Sequence, residues 1–242
     1  MTQLTDKDQV FARPLSSVGA FRFDAEVTRV FDDMINRSVP GYDLLVSMMA
    51  LYADIFVTPA SRIYDLGCST GAMARVIHQQ VEFDDIEIIA IDNSASMIEK
   101  CRHSDSGQAI NWQCSDIMDT DISNASMVVL NLTLQFVSPL QRDELISRIY
   151  RGLNAGGVLV LTEKVKYEDE RQQKTMTELY QGFKKIQGYS DLEISQKRAA
   201  LENVLIPDSP QQHANRFRSA GFSEVFDCFH CFNFVSYLAR KS

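Results

Sequence analysis

Residues Arg62-Ile-Tyr-Asp-Leu-Gly-Cys-Ser-Thr-Gly71 read as a strand that breaks into a glycine-bearing turn. Ile63, Tyr64 and Leu66 form the short apolar run of a strand buried on both faces. Gly67 and Gly71 permit close backbone approach, and 72–79 continues as a helix. A βα turn of this kind binds a nucleotide or is merely structural. Asp92 follows Gly71 by about 20 residues, after the apolar run Ile88-Ile89-Ala90-Ile91, where a carboxylate accepts both hydroxyls of a ribose. The spacing Asp65-x-Gly67-x-x-x-Gly71 lacks the third close glycine of a pyrophosphate-binding turn, which disfavours a dinucleotide.

The alternation continues downstream. Asn93-Ser94 caps a helix through Cys101, Ile110-Asn-Trp-Gln-Cys114 is a third strand, and Met127–Leu130 is a fourth, apolar on both faces and hence central. A helix beginning at Ser138-Pro139 leads through Leu153-Asn-Ala-Gly-Gly157 to a fifth strand, Val158–Leu161. Right-handed crossovers make this an open parallel sheet with helices on both faces. Ligands of such sheets bind at the carboxyl edge, which makes Asp116 and Asn131 site candidates, although Asp116 reads equally well as a turn former. A helix from Pro210 ends at Ala220-Gly221, and 225–229 and 232–238 then form an antiparallel pair. Cys228 and Cys231 have a CxxC spacing without a second ligand pair, and read as buried strand residues rather than a zinc or redox site.

Residues 1–20 are polar and mixed and predict a poorly tied arm. Val27, Val30, Phe31, Met34 and Ile35 then recur at helical spacing, and a second helix begins near Tyr42 after Pro40-Gly41. This pair either packs over the sheet edge or caps the ligand site with Arg37 and Tyr42. Two amphipathic stretches, 168–186 and 192–204, read as lid helices. With 242 residues, 45% hydrophobic, and no Pro/Gly/Ser-rich linker, the chain predicts one domain over 1–242. Within it, 1–55 holds the arm and cap helices and 165–206 the inserted lid or dimer helices.

A formal net charge of −8 opposes polyphosphate binding, so a small-molecule substrate is favoured over direct nucleic-acid contact; Lys184-Lys185 is the one basic patch noted. Five scattered cysteines and the lack of a signal peptide or long apolar span predict a reduced, cytoplasmic setting away from membranes.

The glycine turn, the strand-end acid and the closing antiparallel pair resemble the S-adenosylmethionine (SAM)-dependent methyltransferase superfamily. That resemblance implies a Rossmann-like α/β fold, with a mostly parallel seven-stranded sheet and a C-terminal antiparallel hairpin. A narrower likeness lies in Arg37-Ser-Val-Pro-Gly-Tyr42, Tyr64–Ser69, Ala90–Ser94, Val129-Leu-Asn131, Glu193-Ile-Ser-Gln-Lys-Arg198 and Leu201-Glu-Asn-Val204. Together these segments, from about residue 20 onward, resemble the carboxy-S-adenosyl-L-methionine synthase family.

The family resemblance implies conversion of SAM and prephenate to carboxy-SAM and phenylpyruvate. Prephenate loses carbon dioxide and its ring hydroxyl, and the deprotonated SAM methyl captures the carbon dioxide as an ylide. The released hydroxide is a candidate base. The product would serve a separate tRNA carboxymethyltransferase acting on wobble uridine, and the chain itself would be a homodimer without a metal.

By the same resemblance Gly67, Cys68 and Ser69 contact the methionine part of SAM through backbone groups, and Asp92 with Asn93 the ribose. Asp116 and Ile117 hold adenine, Asn131 lies near the sulfonium arm, and Tyr42 and Arg198 meet the product. A planar guanidinium pairs bidentately with a carboxylate, which suits Arg198 to the added carboxyl group, in its own or the neighbouring subunit. No catalytic base is assigned, and none of the four histidines falls in a matching motif. A conventional SAM-dependent methyltransferase of small molecules or tRNA, and a non-catalytic SAM-binding protein, are the rival readings.

Overall fold

In a computed structural model that describes residues 6–105, 107 and 109–242, the fourth strand is the centre of a seven-stranded sheet. The strands are β1 (Arg62–Leu66), β2 (Glu87–Asp92), β3 (Asn111–Cys114), β4 (Ala125–Asn131), β5 (Leu153–Lys164), β6 (Glu224–Cys231) and β7 (Phe234–Arg240). Their spatial order is β3-β2-β1-β4-β5-β7-β6. The first five are parallel, while β7 runs antiparallel between β5 and β6, as the sequence predicts.

Strand β4 shows why the sheet is covered on both sides. Met127 and Val129 join one core and Val128 and Leu130 the other, so the period-two alternation of a strand feeds two apolar layers. Each such fully buried aliphatic side chain contributes about 1.5–3 kcal/mol, enough to fix the register, since a one-residue slip would exchange the faces. Helices α2 (Tyr42–Phe56) and α3 (Ala72–Gln80) cover the first layer; α5 (Arg142–Gly152) and α8 (Pro210–Ala220) cover the second. Helix α1 (Ala25–Ser38) packs on α4 (Ala95–Ser104) through Val27, Val30, Phe31, Met34 and Met97. It meets α2 at a bend of 96°.

Helices α6 (Glu170–Ile186) and α7 (Asp191–Leu201) lie between β5 and α8 in the chain. Their junction is fixed by a capping box, in which the Ser190 hydroxyl accepts from Glu193 N–H and the Glu193 carboxylate accepts from Ser190 N–H at 2.8 Å. No single helix of the described residues is long and apolar enough to cross a membrane.

Four expectations are corrected. The arm is tied down from residue 6 onward, residues 1–5 lying outside the described residues. Asp8 is buried, its N–H donates to Asp33 at 2.7 Å, and the Gln196 amide donates to the carbonyls of Phe11 and Arg13 at 2.9 Å. Helix α5 begins at Arg142 rather than Ser138, because Gln141 N–H returns to Ser138 C=O and closes a separate turn first. Strand β5 begins at Leu153, so the Gly156-Gly157 stretch is a bulge within it rather than a turn before it. Finally, β6 is the sheet's edge, paired among the described residues only with β7; Cys228 is exposed and Cys231 half-buried, not core residues.

Candidate functional site

The carboxyl ends of β1, β2, β4 and β5 open into a cavity of about 680 Å3, bounded on the far side by α6 and α7. Its floor is the glycine turn. Gly67 and Gly71 have φ of +79° and +80°, in the left-handed region that favours glycine. Close packing adds a second reason, since a Cβ on Gly67 would stand 2.4 Å from the Thr133 side chain and one on Gly71 2.4 Å from the Trp112 ring.

The donors of this turn are already committed. Gly67 and Cys68 N–H both donate to Ile91 C=O, at 2.8 and 2.9 Å, and Ser69 N–H donates to Asp92 Oδ2 at 2.9 Å. A ligand's ammonium group would therefore meet carbonyls and the Asp65 carboxylate, a donor-accepting set that fits the amino acid end of SAM. Asp65 is buried and accepts Ala74 N–H at 3.2 Å; burial, against that N–H and with Asp92 nearby, pushes its carboxyl up to about 7.

Asp92 Oδ1 accepts Ser94 N–H at 2.8 Å, so its carboxylate is oriented by two backbone donors while retaining free lone pairs. Asp116 is a turn former, and it also stands on the cavity wall. Its side chain accepts Met118 N–H at 2.8 Å, capping the short 3-10 helix Ile117–Asp119, and it lines the cavity. Asn131, at the end of β4, presents a buried Oδ1 with no hydrogen-bond partner among the described residues. Tyr42 opens α2 against the cavity; burial, then Asp65, Asp32 and Asp43, raise its phenol well above the ordinary tyrosine range.

All the sequence candidates, Tyr42, Gly67, Cys68, Ser69, Asp92, Asn93, Asp116, Ile117, Asn131 and Arg198, line this one cavity. Arg198 does so in its own chain. Arg37 does not belong with them: it is buried beneath the cap, donates to Gln187 C=O and Asp8 C=O, pairs with Asp33 at 3.0 Å and lies 3.9 Å over the Tyr189 ring. It locks the arm to α1 and to the α6–α7 junction.

Sequence reasoning missed Lys164, Tyr180 and Lys184, which also line the cavity. Lys164 carried a legible signal, since it ends β5 at the same sheet edge as Asn131. Lys184 was visible only as half of a basic pair, because a lysine on a charged helix reads as solvated, whereas the fold leaves this one 8% exposed.

Residues 63–157 match a family model described as a methyltransferase domain. The chain is 48% identical to the carboxy-S-adenosyl-L-methionine synthase of Shewanella putrefaciens, over 98% of this chain and 99% of that one. It is also 48% identical to the enzyme of the same name from Photorhabdus laumondii, over 97% and 95%. Among solved structures it resembles human N-acetylserotonin methyltransferase in complex with SAM, with a TM-score of 0.61 and 18% identity over 90% of this chain and 55% of that one. A putative SAM-dependent methyltransferase from Methanococcus maripaludis gives a TM-score of 0.60 and 17% identity over 95% and 98%.

Proposed function

The chain belongs to the carboxy-S-adenosyl-L-methionine synthase family, and from that membership we propose that it carboxylates the methyl group of SAM with prephenate as donor. Prephenate would break its bond to the departing carboxyl group and expel its ring hydroxyl, giving phenylpyruvate, carbon dioxide and hydroxide. The SAM methyl, acidified by the adjacent sulfonium, would lose a proton to that hydroxide as water and add to carbon dioxide, giving carboxy-SAM. The enzyme's part is to hold both substrates in reacting geometry and exclude water.

The observation that carries this reading is the charge layout of the cavity. Asp65, Asp92 and Asp116 line it from the ends of β1, β2 and β3, which suits a cationic cofactor, while Lys164, Lys184 and Arg198 line it from β5, α6 and α7. Among the described residues Arg198 makes no salt bridge. Ordinary methyl transfer adds no carboxylate to the one SAM already carries in its amino acid end, whereas carboxy-SAM supplies a second for such a group to neutralise. In this reading the active form is a homodimer, and the product passes to a tRNA carboxymethyltransferase that modifies wobble uridine, so that this acidic chain need not itself bind RNA.

The test is mass spectrometry of the small molecules released from freshly purified, denatured protein, followed by incubation with SAM and prephenate. A species heavier than SAM by one carbon dioxide, formed together with phenylpyruvate, is the expected result. Retention of SAM alone with no turnover of prephenate would overturn the proposal.

A further inference from the structure

SAM carries a fixed positive charge at sulfur, so a second cluster of cations in its cavity is electrostatically costly unless an anion joins it. Lys164 and Lys184 form such a cluster. Their ammonium groups lie 4.9 and 4.2 Å from the centroid of the Tyr180 ring, and among the described residues neither makes a salt bridge. The charged groups that perturb Lys184 are all of its own sign: Lys164, Lys197 and Arg198. Lys197 differs, because its ammonium donates to the Ser38 hydroxyl at 3.0 Å and lies 3.9 Å from the Asp8 carboxylate. It has a carboxylate partner; among the described residues the other two have none.

A further observation places polar atoms on the same wall. Asn233 is 2% exposed and lines the cavity next to Phe234, the residue that pairs with Lys164 across β5 and β7. Its Oδ1 has no hydrogen-bond partner among the described residues, nor does Asn131 Oδ1. Buried polar atoms are ordinarily satisfied, and as acceptors these two oxygens call for a donor from a ligand hydroxyl or a water, beside a carboxylate rather than from it. Tyr180 completes the wall, held edge-on against Phe234 at 5.2 Å between centroids.

We infer that Lys164 and Lys184, set against the Tyr180 ring, form an anion subsite that takes a carboxylate of the carboxyl-donating acid, separate from Arg198, which receives the carboxylated product. This rests on the reading of the chain as an enzyme that joins SAM to a carboxylate donor. The division of labour has a physical basis. The donor arrives as a dianion and needs charge neutralisation before any bond breaks, whereas the product's carboxylate exists only afterwards. Two ammonium groups over an aromatic face, Lys184 buried and Lys164 half-buried, give the first, and a planar guanidinium fork the second.

A structural lysine and a binding lysine predict opposite stabilities on removal of the charge. Replacing a buried or half-buried ammonium that has no carboxylate partner among the described residues by a thioether of similar length removes desolvation cost and like-charge repulsion, so Lys184→Met and Lys164→Met should melt at or above the wild-type temperature. The experiment compares the SAM-loaded wild-type chain with each variant and the double variant, by calorimetric titration with prephenate and by initial rates of carboxy-SAM formation. The expected result is unchanged SAM affinity, with prephenate binding weakened and KM raised by about tenfold or more for each lysine.

Prephenate affinity equal to wild type in both variants would overturn the subsite. So would a parallel loss of SAM affinity, which would assign the lysines to the cofactor's own carboxylate. Binding is read without turnover, so a wild-type chain that binds prephenate through these lysines yet makes no carboxy-SAM would sustain the subsite and sink the synthase reading.

Discussion

The backbone N–H of Ser69 donates to Asp92 Oδ2 at 2.9 Å, joining the glycine turn after β1 to the acid at the end of β2. Ser69 itself has φ of +49°, in the left-handed region, and this bond is what holds a non-glycine residue there. Together with Ser94 N–H on Oδ1, it fixes the carboxylate before any ribose arrives. Asp92→Ala should therefore do two things. It should weaken SAM and carboxy-SAM alike, by about tenfold or more in calorimetry, and cost about 1–3 kcal/mol of stability by orphaning two backbone donors. An unaltered affinity for either ligand would remove Asp92 from the ribose site.

Arg198 is expected to separate the two forms of the cofactor. Arg198→Ala should leave SAM affinity within about twofold and weaken carboxy-SAM by about 10–100-fold, the range of a charge-assisted hydrogen-bonded pair. Because Arg198 lies on the exposed side of α7 and makes no ion pair among the described residues, the substitution should leave the melting temperature close to wild type. Equal weakening of both ligands would sink the carboxylate-clamp assignment.

Burial, then Lys164, Lys197 and Arg198, push the Lys184 ammonium down to about 7; burial and Arg198 push Lys164 down to about 8. The face of Lys184 turned to these groups also carries Tyr180 and, among the described residues, no carboxylate. Between about 7 and its ordinary value of 10.5, Lys184 holds fewer protons in the folded chain than in the unfolded one. Stability from this group therefore rises with pH across that window, and the penalty is complete below it. Thermal melts should show wild type gaining on Lys184→Met from about pH 7 to about pH 9, while prephenate affinity falls over the same range as the ammonium charges are lost. Parallel stability curves for the two proteins would show that Lys184 is not a buried cation at neutral pH.

The sheet was legible because its signals are local. The apolar runs of β1, β2 and β4, the paired glycines, and the Ser94 cap each lie within a few residues of the element they define. What escaped was set by contacts between distant residues. The arm looks untied in sequence because its anchors, Tyr189 and Gln196, stand more than a hundred residues away. The aromatic alternation around Cys228 signals a strand but not whether a neighbour covers it, and here none does on one side. Of the site, the acidic half and Lys164 follow from strand-end position; the place of Lys184 depends on how α6 folds back, which no short pattern states.

Glu163 governs the remaining wall of the cavity. Its two carboxylate oxygens accept Leu134 and Gln135 N–H at 2.8 and 2.9 Å, opening the short 3-10 helix Leu134–Phe136 directly after Asn131. Leu132, between them, has φ of +59°, so this segment stores strain that the two bonds help to offset. Burial pushes the Glu163 carboxyl up to about 8, against those two N–H groups and Arg142. Between its ordinary value of 4.5 and about 8 the folded chain holds more protons than the unfolded one, so the contribution of this group to stability falls as pH rises through that window. Glu163→Gln removes the titration and turns an amide NH2 toward one backbone donor. It should lower stability by about 1–3 kcal/mol, weaken SAM binding by releasing the segment that carries Asn131, and flatten the stability profile between about pH 5 and 8. A variant that melts with wild type at every pH, and binds SAM as tightly, would show that the loop is held by other contacts.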